Sequence, residues 1–247
     1  MTPDLDDRPS AFRPVGRATP VVEATAGAAA ALVMGAASAV RRKRVFHPDG
    51  VARHATLQVS GARHGAPLLD EAGSHDAIVR LSRGAGLPES LPDFLGLALR
   101  VTDAHGPGAH QDVLLVSSGS RPGLRHALLP VRSFAHERYS SVVPYRVGDR
   151  TVLFGARRLD DDAPDDADVS DLRAHDDAMR FALEIAELRG PWEPVGVLEL
   201  GPALPEPEGR ALRFDPSNTG GGIEPVGVVQ AVRRLAYRSS QAARPTT

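Results

Sequence analysis

The chain has 247 residues, enough for one domain with a substantial hydrophobic core. A formal net charge of −2 supplies no global field that would draw nucleic acid or an anionic membrane. Cysteine is absent, which excludes disulfides, thiolate metal sites and cysteine nucleophiles and fits a cytoplasmic location.

Residues 1–20 contain four prolines and little pattern, and read as a flexible N-terminal arm ahead of a single domain over 21–247. Residues 21–40 are alanine-rich and apolar. Their cations, Arg41 to Arg44, follow the apolar run, whereas a signal peptide carries them in front, and the run is too weakly hydrophobic for a membrane span. The spacing predicts a helix with favourably placed cations at its C-terminal end. It packs on its own barrel or between the subunits of a homo-oligomer, and the sequence leaves both open. A four-residue basic cluster in an acidic chain reads as a helix end rather than a nucleic-acid site. His47-Pro48-Asp49-Gly50 then ends the helix with turn chemistry.

From Val51 the period becomes two, with Val51, Arg53, Ala55, Leu57 and Val59 alternating with their neighbours. Further strands are predicted at residues 77–82, 94–102, 112–117, 151–155, 195–200 and 211–214. The acidic run 160–168 lacks the glycine and terminal glutamate of an EF-hand and reads as a solvated loop. Ser170 is placed to cap a helix through Arg189, with Leu172, Met179, Ala182, Leu183 and Ala186 inward, stopped by Gly190-Pro191. A last helix is predicted from Pro225 to about Gln241, with Val228, Val229, Val232, Leu235 and Ala236 on one side. About seven strands with few helices between them give an α+β class: an antiparallel β-barrel with flanking helices.

Three segments carry candidate chemistry. Arg233 and Tyr237 stand four apart on the last helix, so both side chains share a face. Such a pair can hold a phenolate, one of the few axial ligands that proteins offer to haem iron. The second segment is Arg44-Val45-Phe46-His47-Pro48-Asp49-Gly50. The third is Ala77-Ile78-Val79-Arg80-Leu81-Ser82, followed by Leu91-Pro92-Asp93-Phe94-Leu95-Gly96.

In this order the segments resemble the catalase family, over residues 35–120 and 195–245, with the middle of the chain not covered. The resemblance implies haem b between the barrel and the C-terminal helix, with Tyr237 as axial tyrosinate on iron and Arg233 as its partner. It implies His47 as the distal histidine that moves a proton between peroxide oxygens, and Ser82 as the hydroxyl that fixes its tautomer. Arg44, Arg80 and Arg244 would hold the haem propionates, where guanidinium matches carboxylate in a two-pronged geometry. Phe46 would lie beside the haem, in place of the valine typical of catalases and the threonine of allene oxide synthases. A phenol titrates near pH 10, so a phenolate at neutral pH needs about 4 kcal/mol of stabilisation, which iron(III) and Arg233 would supply.

The sequence also departs from the family. Catalases carry a distal asparagine, and the only asparagine here is Asn218. By position the missing residue falls near 112–118, where Ser117 or Ser118 would stand in. Gln241 replaces the histidine that follows the tyrosine by four residues, and the chain is about half a catalase. The implied function is a minimal haem peroxidase that reduces hydrogen or organic peroxides with an external small-molecule donor, with weak dismutation. Two other readings stay open: a lipid-hydroperoxide isomerase or lyase, and a non-enzymatic haem-binding or haem-free domain.

Overall fold

The computed structural model describes residues 50–121, 124–125, 127–135, 138–141, 143–159, 168–174 and 179–226. Ten strands make one antiparallel sheet: β1 (Gly50–Val59), β2 (Gly73–Arg83), β3 (Leu95–Val101), β4 (Gln111–Ser117), β5 (Arg138–Ser140), β6 (Tyr145–Val147), β7 (Arg150–Arg158), β8 (Met179–Glu187), β9 (Glu193–Ala203) and β10 (Ile223–Pro225). Three short helices accompany them: α1 (Pro67–Asp70), α2 (Val169–Ala174) and α3 (Glu206–Ala211). Among the described residues no helix is long and apolar enough to cross a membrane.

The sheet closes on itself. The strand order β10-β6-β7-β5-β4-β3-β2-β1-β9-β8 is joined end to end by the β7–β8 pairing, so eight strands form the ring. β5 and β6 share one edge of β7, β5 along Gly155–Arg157 and β6 along Arg150–Val152. β10 hangs from β6 outside the ring. The predicted antiparallel barrel is therefore the observed architecture.

Alternation decides which side chains fill the barrel. Leu57, Val79, Leu81, Leu97, Leu99, Val113, Leu115, Phe154, Phe181 and Leu198 all belong to one buried cluster, and the strand registers place them on a common face. Two edge-to-face pairs brace the interior, Tyr139 with Phe181 at 6.1 Å and Tyr145 with Phe154 at 5.2 Å between centroids.

Three expectations are corrected. The helix expected from Ser170 to Arg189 is α2, six residues long, followed by strand β8. Met179, Phe181, Leu183 and Ile185 do alternate inward, but Ala182, Glu184 and Ala186 on the other face are buried as well. Trp192 and Arg125 cover that outer face: Arg125 and Arg138 stack on the Trp192 ring at 4.9 and 4.7 Å, and Glu184 pairs with Arg138 and Arg157. With both faces covered, the period of two vanishes from the sequence. The strand expected at 211–214 is instead the end of α3 and an unpaired run, whose groups bond to Arg100 rather than to a neighbouring strand. Pro225, expected to open the last helix, closes β10, an edge strand where its missing N–H breaks no ladder bond.

Candidate functional site

β2 carries its core residues Ala77, Val79 and Leu81 on one face and Ile78, Arg80 and Ser82 on the other. The registers extend this outer face through Gly50 and Ala52 on β1, Gly96, Ala98 and Arg100 on β3, and Asp112, Leu114 and Val116 on β4. Ser82 is buried although it faces outward, and its Cα pairs with Gly50. A Cβ on Gly50 would lie 2.6 Å from the Leu81 carbonyl oxygen and 2.8 Å from Ser82 Cβ, so β1 can begin this close to Ser82 only with glycine there.

The loop after Ser82 is built on two buried charges. The Asp93 carboxylate accepts the backbone N–H groups of Ala85, Leu87 and Phe94 at 2.8, 3.2 and 2.7 Å. Arg83 donates to the carbonyls of Leu87, Pro88 and Leu91 at 3.2, 3.2 and 2.7 Å. The end of β2 that presents Ser82 is thereby held from the opposite side.

Arg80 lies where the barrel meets α3. Its Nη1 donates to the Gly209 carbonyl at 3.0 Å, and Gly209 sits so close over β1 that an added Cβ would meet Ala52 Cβ at 3.2 Å. Next to it, Arg100 and Asp112 clamp the segment that follows α3. Arg100 gives Nε and Nη2 to the two oxygens of Asp112 at 2.7 and 2.6 Å, gives Nη2 to the Arg213 carbonyl at 2.6 Å, and stacks on Phe214 at 5.2 Å. Asp112, fully buried, also accepts the Asp215 N–H and the Asn218 side-chain amide at 2.8 and 3.0 Å. The bond to Asp112 raises the Arg100 pKa against the opposing effect of burial.

Of the residues singled out in the sequence, Arg80 and Ser82 occupy one outward face, two positions apart on β2. Arg44, Phe46, His47, Arg233, Tyr237 and Arg244 lie outside the described residues, as does the predicted last helix beyond Val226. The Ser117 hydroxyl, expected to stand in for a distal asparagine, is engaged within the barrel. Ser117 has the parity of Leu115 and Val113, donates Oγ to the Leu129 carbonyl at 2.6 Å and accepts Leu95 N–H at 3.2 Å, with the barrel wall between it and Ser82. Ser118 is buried and has a partner of its own. Asn218 is committed to Asp112.

Two of the three tyrosines are unsuited to be phenolates. Tyr139 and Tyr145 point into the barrel, and burial pushes the Tyr145 phenol up to about 12 and that of Tyr139 higher still. Tyr139 donates its hydroxyl to the Phe134 carbonyl at 3.0 Å. The Arg100–Asp112 clamp escaped sequence reasoning. Its only signal is that Arg100 and Asp112 have the outward parity of their strands yet flank apolar residues.

Comparison with solved structures gives catalases. A bacterial catalase matches with a TM-score of 0.57 and 16% identity, over 86% of this chain and 60% of that one. Catalase A from Saccharomyces cerevisiae matches with a TM-score of 0.57 and 12% identity, over 81% of this chain and 61% of that one. A fungal catalase matches with a TM-score of 0.57 and 15% identity, over 81% of this chain and 59% of that one. The chain thus has the catalase-like fold and spans about three fifths of these proteins. No family model and no curated protein matches the sequence.

Proposed function

We propose that the chain binds haem b and acts as a haem-dependent peroxidase, reducing hydrogen or organic peroxides with an external small-molecule donor and dismutating peroxide weakly. The observation that carries this reading is the pairing of Gly50 with Ser82. His47 is three residues upstream of Gly50, so chain length alone limits it to about 11 Å from Gly50 and about 16 Å from the serine that the resemblance assigns to it. The catalase-like fold supports it independently.

The donor set fits the cofactor. Arg80 brings a cation to the face that also presents Ser82, and a guanidinium is the natural partner of a propionate. Tyr139 and Tyr145 are kept as neutral phenols inside the barrel, which leaves Tyr237 to serve as anionic oxygen ligand. Haem, when bound, supplies the two-electron reduction of the peroxide bond. His47 takes the proton from one peroxide oxygen and returns it to the other, and the Ser82 hydroxyl holds its imidazole in the required tautomer. Arg44, Arg80 and Arg244 hold the propionates, Phe46 borders the porphyrin, and Arg233 supports the Tyr237 oxygen by a charge-assisted bond.

One observation favours organic hydroperoxides over hydrogen peroxide. The partly exposed strip next to Ser82 is Gly96, Ala98, Leu114 and Val116, all apolar. This strip also suits an isomerase or lyase acting on lipid hydroperoxides. Reconstitution with haem tests the whole reading: wild-type protein gives a high-spin ferric spectrum that Tyr237→Phe alters. Supplying hydrogen peroxide and a fatty-acid hydroperoxide side by side, with and without donor, separates peroxidase from isomerase by product. An unchanged spectrum in Tyr237→Phe removes the ligand, and failure to oxidise any donor removes the activity.

A further inference from the structure

Gly220, Gly221 and Gly222 precede β10, and each is pressed by a neighbour. A Cβ on Gly220 would come within 3.0 Å of His105 Cδ2, and one on Gly221 within 2.7 Å of His105 Nδ1. A Cβ on Gly222 would meet the Gly65 carbonyl oxygen at 2.9 Å. Gly221 and Gly222 also have φ of 53° and 82°, in the left-handed region. The imidazole of His105 therefore packs against two consecutive residues at a place where a methyl group would displace it.

The ring is held in turn. His105 Nε2 lies 3.0 Å from Gln111 Oε1. Gln111 is buried and donates Nε2 to the Asp112 carbonyl at 3.2 Å, which turns its oxygen toward His105 and places the imidazole proton on Nε2. The same oxygen lies 3.3 Å from Thr219 Oγ1 and 3.4 Å from the Gly220 N–H. One imidazole face and one amide oxygen together template residues 219–221. Beyond them the chain is pinned by Ile223 N–H on the Gly220 carbonyl, Gly148 N–H on the Gly222 carbonyl and Val226 N–H on the Pro144 carbonyl, at 2.9, 3.1 and 2.8 Å.

We infer that His105, oriented by Gln111, is a positioning residue that fixes the course of residues 219–226, the stretch that precedes Arg233 and Tyr237 in the sequence. Its consequence for iron ligation rests on the haem reading above; its effect on the backbone does not. The test uses the full chain and two readouts. Hydrogen exchange on haem-free protein follows the Ile223 and Val226 amides, and the ferric spectrum follows ligation after haem is added. His105→Ala speeds exchange at both amides by about tenfold while β2 and β3 amides keep their rates, since the opening is local. It also shifts the spectrum that Tyr237→Phe alters. His105→Gln, which keeps a donor toward Gln111, recovers part of the protection. Gly221→Ala has a smaller effect on exchange in the His105→Ala background than in wild type, because the ring it strikes is gone. Unchanged exchange in His105→Ala, or strictly additive effects of the two substitutions, overturns the inference. A wild-type protein without a tyrosinate spectrum overturns the haem reading alone, and the exchange data still decide the role of His105.

Discussion

Arg100 and Asp112 face each other across β3 and β4 and form both bonds of a guanidinium–carboxylate fork, at 2.7 and 2.6 Å. Asp112 has no solvent exposure, and the remaining capacity of its carboxylate goes to Asp215 and Asn218. Asp112→Ala leaves a half-buried guanidinium and two N–H donors without this acceptor, and is expected to cost about 3 kcal/mol in urea unfolding. Residues 213–218 become the first site of proteolytic cleavage. A wild-type unfolding midpoint in this variant would contradict the clamp.

Gly155 leaves room for Trp192, whose ring atoms lie 2.6 and 2.7 Å from where a Cβ would stand. Gly155→Ala forces the indole outward and unstacks Arg125 and Arg138. The expected loss is about 1–3 kcal/mol. Trp192 is the only tryptophan, so a red-shifted fluorescence maximum reports the displacement directly.

Ser82→Ala separates the two parts of the proposed site. The variant should take up haem with wild-type affinity, because the role proposed for the hydroxyl is to orient His47, while its peroxide consumption falls by about 10–100-fold. Equal loss of haem affinity and turnover would show that Ser82 is merely part of the wall.

At the other end of the barrel, Arg150 donates to both oxygens of Glu193 at 3.0 and 2.7 Å and to Glu187 at 3.0 Å. The Glu193 carboxyl is held below its ordinary 4.5, chiefly by the bond to Arg150. A lowered acid pKa stabilises the fold above the unfolded value, and that stability disappears as pH falls from 4.5 through the lower folded value. Arg150→Met should therefore flatten the acid limb of the stability profile, measured by thermal melting from pH 6 to about 3. Both carboxylates are partly exposed, so high salt should shrink the difference.

The alkaline limb belongs to the buried phenols. Tyr145 is pushed up to about 12 and Tyr139 beyond it, both by burial. Folded pKa values above the unfolded value near 10 mean full stability below pH 10 and progressive loss as pH rises toward the folded values. Ultraviolet titration of the folded haem-free protein should show these two tyrosines ionising only with unfolding. Tyr139→Phe, which loses the bond to the Phe134 carbonyl, should cost about 1 kcal/mol.

The barrel was legible where one face is wet and the other dry. Val51, Ala55, Leu57 and Val59 announce β1 because His54 and Gln58 between them are exposed. β8 was hidden because Ala182 and Ala186 are buried on the face away from the core, and its Leu, Ala and Glu are also good helix formers. β5, β6 and β10 have three residues each, too short for a period to register. Of the site, the strand that carries Arg80 and Ser82 was legible, and the structure puts the two on one face of β2. The clamp's hold on the later chain and the imidazole–glycine contact depend on residues 103 to 116 positions apart, Asp112 with Asp215, Arg100 with Arg213 and His105 with Gly221, and such juxtapositions come only from the closed sheet.

β10 is hydrogen-bonded into the sheet through β6 alone, by three paired residues. Detaching it therefore breaks one short ladder and leaves all eight staves of the ring joined. Loss of this ladder would unfasten β10 without parting any two strands of the wall it is fastened to.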